Sequence, residues 1–149
     1  MIRRTAPTDP GRALADALTA EYAAIYAYGP IGVRLTDSAR RDARAAEAAH
    51  RTRRDALVLQ LTAAGGPVPP DRVGYALPFP VTDRASALRL AVEVEERTAA
   101  FWRAALPVTG GADRNRALAA LTDCALRATH WRRAAGVTPL TVPFPGRPV

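Results

Sequence analysis

The sequence predicts an all-α fold of four long helices paired into two hairpins. Three observations carry this. The chain of 149 residues is 48 % hydrophobic, much of it alanine, but only 6 % aromatic, and alanine is the strongest helix former. Apolar residues recur at steps of three and four along four separate stretches, the spacing of one helix face. A single long connection rich in proline and glycine, residues 65–82, separates the second stretch from the third.

The first helix starts at Asp9-Pro10, where aspartate caps free N–H groups and proline at the first helical position loses nothing. Residues 1–8 ahead of it are expected to be loose. Its stripe is Leu14, Leu18, Glu21, Ile25 and Tyr28, and Gly29-Pro30 is expected to kink or end it, with a further turn toward Leu35. Thr36-Asp37-Ser38 caps the second helix, which runs to about Ala64 before Gly65-Gly66-Pro67. Glu47, His50, Leu57, Leu61 and Ala64 read as its inner stripe, and Arg40, Arg41, Arg44, Arg51 and Arg53 as a solvated face paired with Asp42 and Asp55.

Residues 65–82, GGPVPPDRVGYALPFPVT, cannot be helical. Connections this long need a reason. A helix of about 25 residues spans roughly 38 Å, and about 18 extended residues reach nearly 60 Å, so the segment suits a crossover between parallel helices. Thr82-Asp83 caps the third helix, which runs to about Leu106 with Leu88, Val92, Glu95, Ala99, Trp102 and Leu106 inward. A short Gly-Gly turn leads to the fourth, from about Asp113 to Ala135, closed by Gly136. Ala117, Leu121, Cys124, Ala128 and Trp131 form its stripe. Two hairpins joined by one long crossover are the ferritin-like layout. The chain is thus expected to be one domain, a bundle over about 9–136 with an extended tail over 137–149. Phe144 is expected to pin that tail in a groove.

The formal charge is +7, and all 21 basic residues are arginine. With no docking motif or interleaved aromatics, this points to a solvated surface rather than nucleic-acid binding. The lone cysteine, Cys124, excludes an intrachain disulfide and suits a reducing compartment. The basic start MIRRTAPTDPGR is followed by no apolar run, so neither a signal peptide nor a membrane span is expected. Cytoplasm is the expected location.

Three helices carry polar residues mid-stripe: Glu21, Glu47-x-x-His50 and Glu95. The ferritin-like di-iron pattern is one Glu from each of two helices and Glu-x-x-His from each of the others. The fourth helix offers Arg127-Ala-Thr-His130, an arginine where the carboxylate belongs. A guanidinium can neutralise buried carboxylates as a cation does, but repels a second metal ion. Two readings follow. Either Glu21, Glu47, His50, Glu95 and His130 form a degenerate site held by Arg127, in a binding or structural protein without a cofactor, or they ligate iron or manganese in an oxidase or peroxide-handling enzyme. A homodimer is expected, and the proline-rich linker and tail are the places to look for a partner protein.

The segments EYAAIYAYG (21–29), HRTRRD (50–55), YALPFP (75–80), Trp131-Arg132 and PFPG (143–146) resemble the actinobacterial ferritin-like family called domain of unknown function 4439. The likeness runs from about residue 11 to 146. It implies a four-helix bundle related to ferritin and rubrerythrin and assigns no activity.

Overall fold

A computed structural model describes residues 9–147. The expected loose segment 1–8 and the last two residues of the tail lie outside it. The chain forms α1 (Pro10–Arg34), α2 (Asp37–Ala63), α3 (Arg84–Ala105) and α4 (Gly111–Ala135), with a single 3₁₀ turn, Leu106–Val108, between α3 and α4. The architecture is a four-helix bundle.

Local chemistry sets three of the ends, while Thr36, at the start of α2, makes no side-chain capping bond. Asp9 accepts from the backbone N–H of Arg12 at 2.9 Å and caps α1. Asp83 and Ser86 form a reciprocal capping box on α3. Gly136 closes α4 in the left-handed region at φ 67°. Of the two outcomes expected at Gly29-Pro30, the helix does not end there: the further turn is formed, and α1 continues to Arg34 with Pro30 inside it. Proline removes one backbone bond, yet Tyr28, Ile31 and Leu35 around it are buried in the core. Their burial favours an unbroken helix.

Side-chain bonds reveal the helix directions. Gln60, near the end of α2, bonds to Asp113 and Arg116 at the start of α4. Asp42, near the start of α2, meets His130 near the end of α4. Helices α2 and α4 therefore run antiparallel, and α3 with its short return to α4 runs parallel to α2. The extensive helix pairings are α1 with α2, α1 with α3, and α3 with α4. The connection from α2 to α3 thus joins parallel helices that do not pack side by side, as the crossover reading requires. On its way it lays Tyr75, Leu77, Phe79 and Val81 against the bundle.

The apolar core falls into two clusters. One holds Leu14, Leu18, Leu57, Leu61 and Trp102; the other Tyr28, Ile31, Leu35, Leu90 and Trp131. Between them sits a polar layer.

Candidate functional site: a buried carboxylate–imidazole–guanidinium layer

Glu21 of α1, His50 of α2 and Glu95 of α3 meet in this layer, each with no solvent exposure. Stranding ionised groups there without partners would be costly, and each has partners. His50 Nδ1 lies 2.6 Å from Glu21 Oε2, and Nε2 lies 3.1 Å from Glu95 Oε1. With a carboxylate oxygen on each ring nitrogen, the imidazole carries both protons and donates twice. Burial alone would push its pKa down, but the bonds and charges of Glu21 and Glu95 prevail and raise it to about 9. Burial likewise pushes Glu21 up, yet His50, Arg53 and the Trp102 indole together hold it below the ordinary carboxylate value.

Arg53 supplies the second cation and is part-buried. Its Nε donates to Glu21 Oε1 at 2.9 Å and one terminal nitrogen donates to Asp123 of α4 at 2.6 Å. The other terminal nitrogen is 3.0 Å from His50 Nδ1. Because Nδ1–H already points at Glu21, that approach is a contact between two cations bridged by one carboxylate, not a hydrogen bond. Two indoles complete the layer. Trp102 donates to Glu21 Oε1 at 2.7 Å, and Trp131 donates at 2.9 Å to the Tyr28 hydroxyl, which donates to Glu95 Oε1 at 2.6 Å. Burial and the adjacent Glu95 push the Tyr28 phenol well above its ordinary pKa. Burial does the same to the Cys124 thiol, reinforced by Glu95.

Of the five residues read from the sequence as metal candidates, the structure brings Glu21, His50 and Glu95 together and places two elsewhere. Glu47 turns to Arg51 one turn along the outer face, with Nη2 at 2.6 Å. His130 is half exposed and pairs with Asp42 at 3.1 Å. The reason is register. The buried positions of α2 are Ala39, Ala43, Ala46, His50, Leu57 and Leu61, a stripe one residue off Glu47. On α4 it is Trp131, not His130, that points inward.

The role expected of Arg127 also moves. Arg127 sits a quarter exposed and, among the described residues, bonds Asp123 at 3.1 Å. The guanidinium among the carboxylates is Arg53, which the sequence reading assigned to the solvated face. One signal could have found it: steps of four and three alternate through 39, 43, 46, 50, 53 and 57, a further step of four reaches 61, and Arg53 fills the one gap among the buried positions of α2. Phe144 is corrected as well. It is 62 % exposed, and the tail is seated by Gly146 instead, where an added Cβ would lie 2.6 Å from the Ala99 carbonyl oxygen of α3.

The donor set does not offer an open coordination shell. Both His50 nitrogens are engaged, both Glu21 oxygens accept hydrogen bonds, and a guanidinium already stands beside them. Among the described residues, no group of three or more His, Cys, Asp or Glu side chains is arranged to hold a metal ion. No helix among them is long and apolar enough to cross a membrane.

Fold and centre together define a four-helix bundle built around a buried, internally charge-compensated polar layer. The family model described as Domain of unknown function (DUF4439) matches residues 13–149, and the chain belongs to that family. The crystal structure of a conserved hypothetical protein from Mycobacterium tuberculosis is similar to it, with 39 % sequence identity and a TM-score of 0.82. That alignment covers 91 % of this chain and 96 % of the other. No curated protein matches.

Proposed function

We propose that this chain is a non-enzymatic binding or structural module of ferritin-like ancestry, in which His50 and Arg53 stand where metal cations would otherwise balance Glu21 and Glu95. The observation that carries the reading is the position of Arg53. Its guanidinium reaches Glu21, Asp123 and the edge of His50 at once. A metal ion needs deprotonated, unoccupied ligands. Here it would have to strip a proton from His50 and expel the part-buried guanidinium of Arg53.

The reading includes a cytoplasmic homodimer. Leu118 and Leu126, both exposed on α4, support the dimer, and light scattering at about twice 15.9 kDa tests it. Several surface arginines have acidic neighbours, as in Arg51–Glu47, Arg54–Asp55 and Arg12–Asp16, which supports a solvated surface over a nucleic-acid interface. The enzymatic alternative is tested by aerobic oxidation of ferrous iron and turnover of hydrogen peroxide. Rates at the protein-free background are expected. Turnover that disappears in Glu21→Gln would overturn the proposal.

A further inference from the structure

The crossover does not lie flat on the bundle. Beneath residues 75–78 it leaves a cavity of about 290 Å³ against α1 and α3. The lining runs from Thr19 to Ala27 on α1 and from Leu90 to Phe101 on α3. The space exists because the side chains on the α1 side are small, Ala20 and Ala23 among them, and because the roof above them carries Ala76.

The roof is pinned on both sides of that alanine. The Tyr75 ring packs on Tyr26 with centroids 5.7 Å apart, and its hydroxyl donates to Asp71 at 3.0 Å. Phe79 lies 4.3 Å beneath the Arg89 guanidinium, and Leu77, Phe79 and Val81 pack on the core cluster around Tyr28 and Leu90. The cavity is therefore preformed, as small-molecule sites usually are.

Its walls select the body of a ligand. Thr19 and Thr98 line it, but each donates its hydroxyl hydrogen to its own helix backbone, at 3.1 Å and 2.8 Å. No side-chain hydroxyl donor is left for a polar body. The α1 lining spans eight steps, roughly 12 Å at 1.5 Å per residue, the length of about nine extended carbon–carbon bonds. An apolar cavity of about 150 Å³ holds benzene, so this volume suits about ten carbons laid end to end.

The rim selects the head. Arg89, Glu93 and Arg97 follow at four-residue steps along α3, two cations to one anion, while Asp71 and Arg72 beside Tyr75 offset each other. Arg97 lines the cavity, is exposed, and has no ion-pair partner among the described residues.

We propose that this cavity binds a medium-chain aliphatic carboxylate, its tail beneath residues 75–78 and its headgroup at Arg97. The lining shares no side chain with Glu21, His50, Glu95 or Arg53. The proposal goes beyond the reading of that central layer, and metal uptake and ligand binding can each fail alone.

The test is calorimetric titration of the full chain with hexanoate, octanoate, decanoate and dodecanoate, and with octylamine as the oppositely charged control. Affinity is expected to rise about fourfold per methylene up to decanoate, the equivalent of about 0.8 kcal/mol, and then to level off where the slot is full. Octanoate should bind about threefold or more tighter than octylamine at low ionic strength, a preference that shrinks with salt. Ala23→Phe, which fills the slot, should abolish binding while far-ultraviolet circular dichroism stays unchanged. Arg97→Gln, at an exposed position, should remove the preference over octylamine, and it carries the test if Ala23→Phe does not fold. No saturable binding, a rise that continues unchanged to dodecanoate, octylamine equal to octanoate, or binding untouched by Ala23→Phe would each overturn the proposal.

Discussion

His50 Nδ1 sits 2.6 Å from Glu21 Oε2, joining two residues 29 positions apart in sequence, neither of them exposed to solvent. That contact fixes the register of α1 against α2. With the 3.1 Å approach of the other ring nitrogen to Glu95, it also makes the imidazolium a structural cation. The consequences can be measured.

Stability should fall as pH rises through the neutral-to-alkaline range. The folded-state pKa of His50 is raised from 6.5 to about 9. A raised group stabilises fully below its unfolded value and loses that contribution as pH climbs through its folded value. Chemical denaturation between pH 6.5 and 9.5 should therefore show a loss of about 3 kcal/mol. Glu21 acts in the opposite sense: its lowered pKa makes its contribution present above the ordinary carboxylate value and lost as pH falls through the folded one. A flat stability profile from neutral to alkaline pH would contradict the double protonation of His50.

Arg53 and Arg127 should behave very differently when truncated. Arg53→Met removes the partner of buried Glu21 and part-buried Asp123, and breaking such a pair costs about 3–5 kcal/mol. Arg127→Ala removes one partly exposed pair with Asp123, worth about 0–1 kcal/mol. Urea unfolding of the two variants side by side checks this. A larger loss for Arg127→Ala would return the cationic role to that residue.

Tyr28→Phe deletes one hydroxyl that serves two bonds. Glu95 loses a donor at 2.6 Å and the Trp131 indole N–H loses its acceptor at 2.9 Å. A buried N–H left unpaired costs about 1–3 kcal/mol. The loss should appear as a lower midpoint with an unchanged denaturant slope. An unchanged midpoint would mean that water replaces the hydroxyl.

How far the sequence led differs between elements. Glu21 and Glu95 were legible as inward residues because each interrupts an apolar stripe whose neighbours leave no other face to bury. The crossover was legible from chain length alone. Glu47 was misplaced because its spacing to His50 matches a familiar ligand pattern, while the true stripe passes through Ala46, and alanine is too common in this chain to mark a face. Arg53 escaped notice because a charged residue at a stripe position reads as surface until its partners are known. One partner, Asp123, lies 70 residues away, a pairing that no local periodicity encodes. His130 stands next to Trp131 in sequence, and only packing decides which of the two turns inward.

The most direct measurement is the metal content of untagged protein, before and after aerobic loading with ferrous iron or manganese and exhaustive dialysis. The account predicts far less than one equivalent retained, by a chain that unfolds cooperatively. Retention of one or two equivalents, lost in both Glu21→Gln and His50→Gln, would contradict it and show that the layer opens to take up an ion.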